Sequence, residues 1–295
     1  MRIVITGATG YIGSNLLVKL IEENYDVYVL VRKKSDLSNI EEYLEAHKIL
    51  NILDNRTLLY EKMRNIRPDI FIHLAGIFIS NHSEENINEL FDSNIRDSAV
   101  ILDAVCNGGC KNIINTGSYW QMYDNEVYNP VNLYAATKEA FEKIIEYYIQ
   151  NFECKAITLR LFDTYGKNDK RNKILNILNN LKDGQKIDMT KGEQFIYMCH
   201  IDDVVKAYIE AINQVQFLEN GKHKVYAIRG ELPIKLKDIV NRYVKISNKK
   251  LDINWGGREY RKKEIINPSG YGEVLPNWKP SIDLDTGLKD LIESR

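Results

Sequence analysis

Tyr134 and Lys138 stand four residues apart in the run Tyr134-Ala135-Ala136-Thr137-Lys138. That spacing puts a phenol and an ammonium on one face of a helix. A free phenol, with a pKa of about 10, is nearly inert as a base near neutrality. A cation beside it favours phenolate and brings the group into range for proton exchange with a hydroxyl or carbonyl. Alone, the pair reads as two unrelated side chains on an amphipathic helix. A second feature upstream changes that reading. Thr6-Gly7-Ala8-Thr9-Gly10-Tyr11-Ile12-Gly13 lies between a β-branched run and a helical pattern. Glycines there let the backbone turn sharply and approach a pyrophosphate, while the following helix offers unpaired N–H groups and a positive dipole end. The two features predict a dinucleotide held by Gly7, Thr9, Gly10, Tyr11, Ile12 and Gly13, next to an acid–base pair.

The end of the second strand bears on which dinucleotide it is. An acidic residue there would bond the ribose hydroxyls and favour NAD. The chain instead reads Leu30-Val31-Arg32-Lys33-Lys34-Ser35, with no acid before Asp36. Arg32 and Lys33 can neutralise a 2′-phosphate, the arginine in a planar, bidentate way. NADPH is therefore the expected coenzyme, with NAD the alternative.

These groups need a scaffold, and the first half of the chain supplies its rhythm. Short apolar runs at Ile3–Ile5, Val27–Val31, Ile49–Leu53, Ile70–Leu74, Asn112–Asn115 and Ala156–Phe162 alternate with helical patterns. The helices are expected at Ile12–Glu23, before Pro68, at Asn86–Asn107 and at Tyr134–Asn151. Strands this short and this continuously apolar imply a parallel α/β sheet covered on both faces. The second half loses the alternation. It predicts helices over Lys170–Leu181, Asp202–Asn213 and Lys235–Ile246, then a Gly/Pro-punctuated tail. The expected division is a dinucleotide-binding domain over 1–165, to which 195–215 returns, and a substrate lobe over 166–194 and 216–295.

Composition sets the outer bounds. Forty basic and 41 acidic residues leave a net charge of -1, which gives no electrostatic case for nucleic acid or an acidic membrane. No run approaches the roughly 20 apolar residues of a membrane span, and a cytoplasmic location is expected. Cys106, Cys110, Cys154 and Cys199 form no C-x-x-C pair and read as reduced core thiols, with no metal site.

The glycine loop and the tyrosine–lysine pair together resemble the extended short-chain dehydrogenase/reductases, the NAD-dependent epimerase/dehydratase family. Further matches run along most of the chain: His73-Leu74-Ala75-Gly76, Asn94 in the long helix, Leu159-Arg160-Leu161-Phe162-Asp163-Thr164-Tyr165-Gly166, and His200-Ile201-Asp202-Asp203. The segments Asn115–Gln121 and Asn129–Lys138 look most like the CDP-abequose and CDP-paratose synthase type of nucleotide-sugar 4-ketoreductase. The resemblance implies a Rossmann doubly wound parallel sheet with a smaller interleaved C-terminal α/β substrate lobe. It also implies coenzyme contacts at Asn51, Ile52, Leu74, Ala75, Gly76, Asn94 and Leu161, besides Tyr134 and Lys138.

A third catalytic member, a Ser or Thr bonding the reacting oxygen, is implied after the fifth strand. Ser118 is the first candidate and Thr116 the second. Phe78, Ser118, Tyr119 and Asp163 are expected on the substrate, and Arg258 and Arg261 on its diphosphate. Three departures stand out. Tyr119 and Trp120 replace the Asp-Glu pair of the dehydratases, Asp163 replaces an asparagine, and Ile196-Tyr197-Met198 replaces R-D-F. His200 reads as a packed histidine before a helix cap. The expected activity is NADPH-dependent reduction of the 4-keto group of a nucleotide-linked, CDP-type deoxyhexulose by a homodimer. A 4-epimerase holding NAD, and a non-catalytic dinucleotide sensor, are the rival readings.

Overall fold

The computed structural model describes residues 1–51, 55–124, 128–268 and 272–294. In chain order it contains β1 (Arg2–Thr6), α1 (Tyr11–Glu22), β2 (Asp26–Leu30), β3 (Ile49–Leu50), α2 (Arg56–Ile66), β4 (Ile70–His73), α3 (Glu84–Phe91), α4 (Ser98–Asn107), β5 (Asn112–Ser118), α5 (Leu133–Asn151), β6 (Lys155–Leu161) and β7 (Asp163–Tyr165). There follow α6 (Ile174–Asn180), β8 (Lys186–Met189), β9 (Phe195–Ile196), β10 (Met198–His200), α7 (Ile201–Val215), β11 (His223–Ile228), β12 (Ile234–Lys235), α8 (Leu236–Ser247), β13 (Asp252–Trp255) and α9 (Leu284–Glu293).

Seven strands form one parallel sheet in the order β11-β6-β5-β4-β1-β2-β3. The period-2 alternation of each strand divides the core between two faces. Ile3, Ile5, Ile72, Ile114 and Ile157 face α1 and α7, against Leu16, Leu20, Val204 and Ile212. Val4, Phe71, Ile113 and Ala156 face α2, α4 and α5, against Leu59, Leu102, Phe141 and Ile145. With both faces covered, the strands are apolar throughout. The chain turns one way from β1 to β2 and the other way to β4. A crevice therefore opens at the carboxyl ends of β1 and β4, where ligands of such sheets bind.

A separate apolar cluster gathers Leu175, Leu178, Met189, Leu236, Ile239, Tyr243 and Leu288 from α6, β8, α8 and α9. This cluster lies in the second half of the chain, where a substrate lobe was expected, and it holds the clearest departures from the sequence reading. The tail contains β13, parallel to β8, and α9, whose Leu284, Leu288 and Leu291 make one buried stripe behind an Asp283 cap. The helix expected over Lys170–Leu181 shrinks to α6, because Arg171 is drawn into a loop by bonds to Asp169 and the Thr164 carbonyl. Residues 223–228, assigned to the lobe by sequence, form β11 and pair with β6. Tyr226, Ala227 and Ile228 are buried there and close an edge that β6 would otherwise leave open.

The tail is fastened to the sheet through Asp203. Its fully buried carboxylate accepts the Ser281 and Ile282 N–H groups and the Ser281 hydroxyl, and pairs with Lys206. Burial raises this carboxyl's pKa, but those hydrogen bonds outweigh it and the net shift is downward. Trp278 Nε1 donates to the Asp203 carbonyl. Among the described residues no helix is long and apolar enough to cross a membrane, and all four cysteines are buried free thiols.

Candidate active site

The loop between β1 and α1 is shaped by steric necessity. Gly7 has φ of 73°, and a Cβ on it would lie 2.6 Å from the Ala75 nitrogen. A Cβ on Gly13 would lie 2.1 Å from the Gly7 carbonyl oxygen, so the first turn of α1 folds back on the loop. Thr6 braces this crossing, since its hydroxyl meets His73 Nδ1 at 2.9 Å and accepts the Ala75 N–H. Gly10 caps α1, and no acidic side chain stands in its first turn. The helix N-terminus is therefore free to meet an anion, and the backbone leaves the room that a pyrophosphate needs. Tyr11 reaches across to the Lys167 carbonyl, with the Arg171 guanidinium 4.4 Å above its ring.

A cavity of about 680 Å³ runs from this loop along the ends of β4, β5 and β6. Gly7, Gly10, Tyr11, Ile12, Gly13, Leu74, Gly76, Phe78, Ser118, Tyr119, Tyr134, Lys138, Leu161 and Asp163 all line it, so most residues singled out by sequence meet in one space. Thr9 and Ala75 are half-buried and do not line it. Asn51 is exposed at the end of β3, and Ile52 lies outside the described residues.

Tyr134 enters from the first turn of α5. Asn132 caps that helix by accepting the Ala135 N–H, and its own amide donates to the Ser80 carbonyl. Ser118 ends β5 beside the Tyr134 phenol, close enough to lower its pKa, while Phe78 packs edge-on to the ring at 5.0 Å. Thr116 is placed differently, its hydroxyl 2.7 Å from that of the buried Tyr208. Between the two candidates, the geometry puts Ser118 beside the tyrosine.

Burial raises the Tyr134 phenol to about 12, against smaller lowering effects of Ser118 and Arg171. Burial also lowers the Lys138 ammonium to about 8, opposed by the Glu142 carboxylate. The expected shift toward phenolate is therefore reversed, because desolvation is the largest effect on each group. A phenol in this state holds its proton and is set up as an acid. Lys138 Nζ lies against Gly76, where an added Cβ would come within 3.0 Å of it.

Asn94 was expected as a support of the active site and among the coenzyme contacts. It sits in a π-helical turn, Asp92–Asp97, between α3 and α4. Its amide is spent on the Ile77 N–H, the Ile77 carbonyl and the Thr137 hydroxyl, so it fixes the β4 loop to α5 from behind. The π-turn is what turns Asn94 inward, a feature common at functional sites.

Elsewhere along this cavity, Tyr119 stacks on Phe162 at 4.6 Å and donates to Asp163 at 2.7 Å. Lys173 Nζ approaches the other Asp163 oxygen at 3.6 Å. An adjoining cavity of about 360 Å³ shares Phe78, Tyr119, Trp120 and Asp163 with the first and carries Arg258, Arg261 and Lys263. Arg261 lies 5.0 Å above the Trp120 ring and is paired with Glu264. Lys263 is one that sequence reasoning missed, and it donates to Asn129 and the Pro130 carbonyl across the mouth. Arg32, Lys33 and Lys34 are exposed and line a third cavity of about 590 Å³ with Arg56 and Arg96. Among the described residues its one acid, Asp97, is already paired with Arg96. His200 caps α7 by accepting the Asp202 N–H and faces Asp290 at 3.2 Å, the packed role read from sequence.

Residues 3–228 match the model of the NAD dependent epimerase/dehydratase family. The CDP-abequose synthase of Yersinia pseudotuberculosis is 28% identical over 277 residues, 91% of this chain and 92% of that protein. The dTDP-4-dehydro-6-deoxyglucose reductase of Escherichia coli is 22% identical over 99% of this chain and 96% of its own length. Among solved structures, UDP-glucuronic acid 4-epimerase from Bacillus cereus, in complex with UDP-glucuronic acid and NAD, superposes with a TM-score of 0.80 at 20% identity. That match covers 100% of this chain and 98% of the other.

Proposed function

The chain belongs to the NAD dependent epimerase/dehydratase family, and on that premise we propose that it reduces the 4-keto group of a nucleotide-linked deoxyhexulose, with NADPH as coenzyme and CDP as the nucleotide. The observation that carries this reading is the cavity of cations beyond β2, where Arg32, Lys33, Lys34 and Arg56 meet, among the described residues, one acid, Asp97, already paired with Arg96. Such a site suits the 2′-phosphate of NADPH. The names of two relatives, a CDP-abequose synthase and a dTDP-4-dehydro-6-deoxyglucose reductase, support the substrate class.

The coenzyme, when bound, supplies a hydride to the carbonyl carbon. The rest is the work of side chains. Tyr134 gives its phenolic proton to the carbonyl oxygen as negative charge builds there, and Ser118 donates to the same oxygen. Lys138 stabilises the phenolate left behind and orients the ribose side of the cleft near Gly76. Tyr119 and Trp120 offer no carboxylate for eliminating water, which disfavours a dehydratase. Arg258, Arg261 and Lys173 are proposed to hold the diphosphate, while Asn94 acts only by supporting the β4 loop.

The test is incubation with NADPH and a panel of CDP-, GDP-, UDP- and dTDP-linked 4-keto sugars, following the reduced-coenzyme absorbance. Consumption with one nucleotide series is expected. Copurified NAD with no net consumption would assign a 4-epimerase instead, and coenzyme binding without turnover of any sugar a sensor. Changing Arg32 to Asp should lower the NADPH-over-NADH ratio of kcat/KM by about 10- to 100-fold, since a charge-assisted bond contributes about 1.5–3 kcal/mol. An unchanged ratio would remove Arg32 from the site. We also propose a homodimer through the outer faces of α3–α4 and α5, where Ile87, Phe91 and Tyr147 are exposed; light scattering checks it, and a monomer at working concentration contradicts it.

A further inference from the structure

Behind Ser118 lies a polar cluster that the proposed reaction does not use directly. Gln121 is fully buried, and its Oε1 accepts the Ser118 N–H at 2.8 Å. Its Nε2 donates to Glu139 at 2.7 Å and to Glu142 at 2.8 Å, both on α5. Arg160 of β6 closes the cluster with bonds to Glu142 at 2.8 Å and Glu139 at 3.3 Å. The cluster presses directly on β5, because a Cβ at Gly117 would come within 3.0 Å of Arg160, Glu142 and Gln121. Every donor and acceptor of the Gln121 amide is thus directed, and nothing apolar of the same shape could replace it.

Glu139 and Glu142 share the helix that carries Tyr134 and Lys138. A rigid link between that helix and Ser118 is what a shared oxygen site requires, since the serine comes from a strand and the pair from a helix. We propose that Gln121 is the positioning residue that sets Ser118 relative to the Tyr134–Lys138 helix, by joining the Ser118 backbone to Glu139 and Glu142. This rests on the reading that Ser118 and Tyr134 share the substrate oxygen.

Two variants separate positioning from mere stability. Gln121→Val removes the link and should lower kcat about 30-fold with coenzyme affinity within about twofold, in line with the loss expected for a misplaced group. Gln121→Glu keeps the shape but brings a third carboxylate against Glu139 and Glu142. The cations facing it are Arg160 and, at the rim, Lys143 at 3.9 Å from Glu139, with Lys138, Tyr128 and His223 within electrostatic reach. Relative to the parent at the same pH, its activity should be low at about pH 8 and recover several-fold toward about pH 6, where a protonated carboxyl reproduces the donor and acceptor of the amide. A structural defect would not recover in this way. Both variants within about twofold of the parent at every pH, or a pH-independent loss in Gln121→Glu, overturns the proposal.

A second measurement needs no sugar. Amide hydrogen exchange at Ser118 in the coenzyme-loaded protein should accelerate at least about tenfold in Gln121→Val, with the thermal midpoint of the chain lowered by only a few degrees. Unchanged exchange at Ser118 overturns the positioning role. Faster exchange together with failure of the parent protein to reduce any nucleotide sugar would leave the link standing and defeat the functional reading.

Discussion

Replacing Tyr134 with Phe lowers turnover about 10³-fold, the scale of a lost proton transfer in the transition state, while the fold and coenzyme affinity stay close to those of the parent. The ring remains packed against Phe78, so the substitution removes one oxygen and little else. What is lost is the proton that a buried phenol retains through neutrality. The sign of the pH dependence follows from the two shifts. Tyr134, raised to about 12, is still an acid at pH 9. Lys138, lowered to about 8, loses its charge first as the pH rises. The alkaline fall in kcat/KM should therefore set in near pH 8 and belong to the lysine. Steady-state rates across about pH 6–10, with circular dichroism and coenzyme fluorescence as controls, decide the matter. Near-parental turnover in Tyr134→Phe would end the assigned role, and a flat profile to about pH 10 would end the account of Lys138.

Gly13→Ala should weaken coenzyme binding by at least about 100-fold, roughly 2.7 kcal/mol. The added methyl carbon would meet the Gly7 carbonyl oxygen at 2.1 Å and the Ala8 Cα at 2.7 Å. Both are backbone atoms of the cradle itself, so relief requires the loop to leave the shape that fits a pyrophosphate. A destabilisation of about 1–3 kcal/mol accompanies it, as for overpacked sites generally. Gly10→Ala provides the graded comparison, since its only close neighbour is the Gly7 oxygen at 3.3 Å, and it should stay within about tenfold of the parent. Fluorescence titration of the two variants checks the ordering. Equal losses at the two positions would show that the steric account is wrong.

Much of this architecture was legible because it is local. The apolar strands, the glycine loop and the i, i+4 pair each announce themselves within a dozen residues, and the sheet, α1 and α5 lie where their patterns put them. What escaped depends on distant partners. The Lys170–Lys173 stretch has helical composition but is drawn out by Thr164 and Asp169, and β11 acquires its place only by closing the edge of β6. α9 did carry its Leu284–Leu288–Leu291 stripe and Asp283 cap, obscured by the Pro- and Gly-rich run before it. At the site, residue types pointed to Tyr134, Lys138 and Ser118, but the direction of the proton balance needed the burial of both groups. Gln121 gave no signal by type. Glu142 gave a faint one, four residues beyond Lys138 on the same helical face, whose partner Arg160 lies on another strand.

The late return of β11 also bears on how the chain is made. β6 is complete at Leu161, yet its outer partner begins only at His223, after α6, β8 and α7 have left the ribosome. For that interval the buried run Ala156-Ile157-Thr158-Leu159 has an unpaired row of N–H and C=O groups on one side. Long-range pairing of this kind forms slowly and leaves its template exposed. The nascent enzyme therefore passes through a stage at which its most apolar edge is bare, a natural point for chaperone capture or for aggregation when expression is fast.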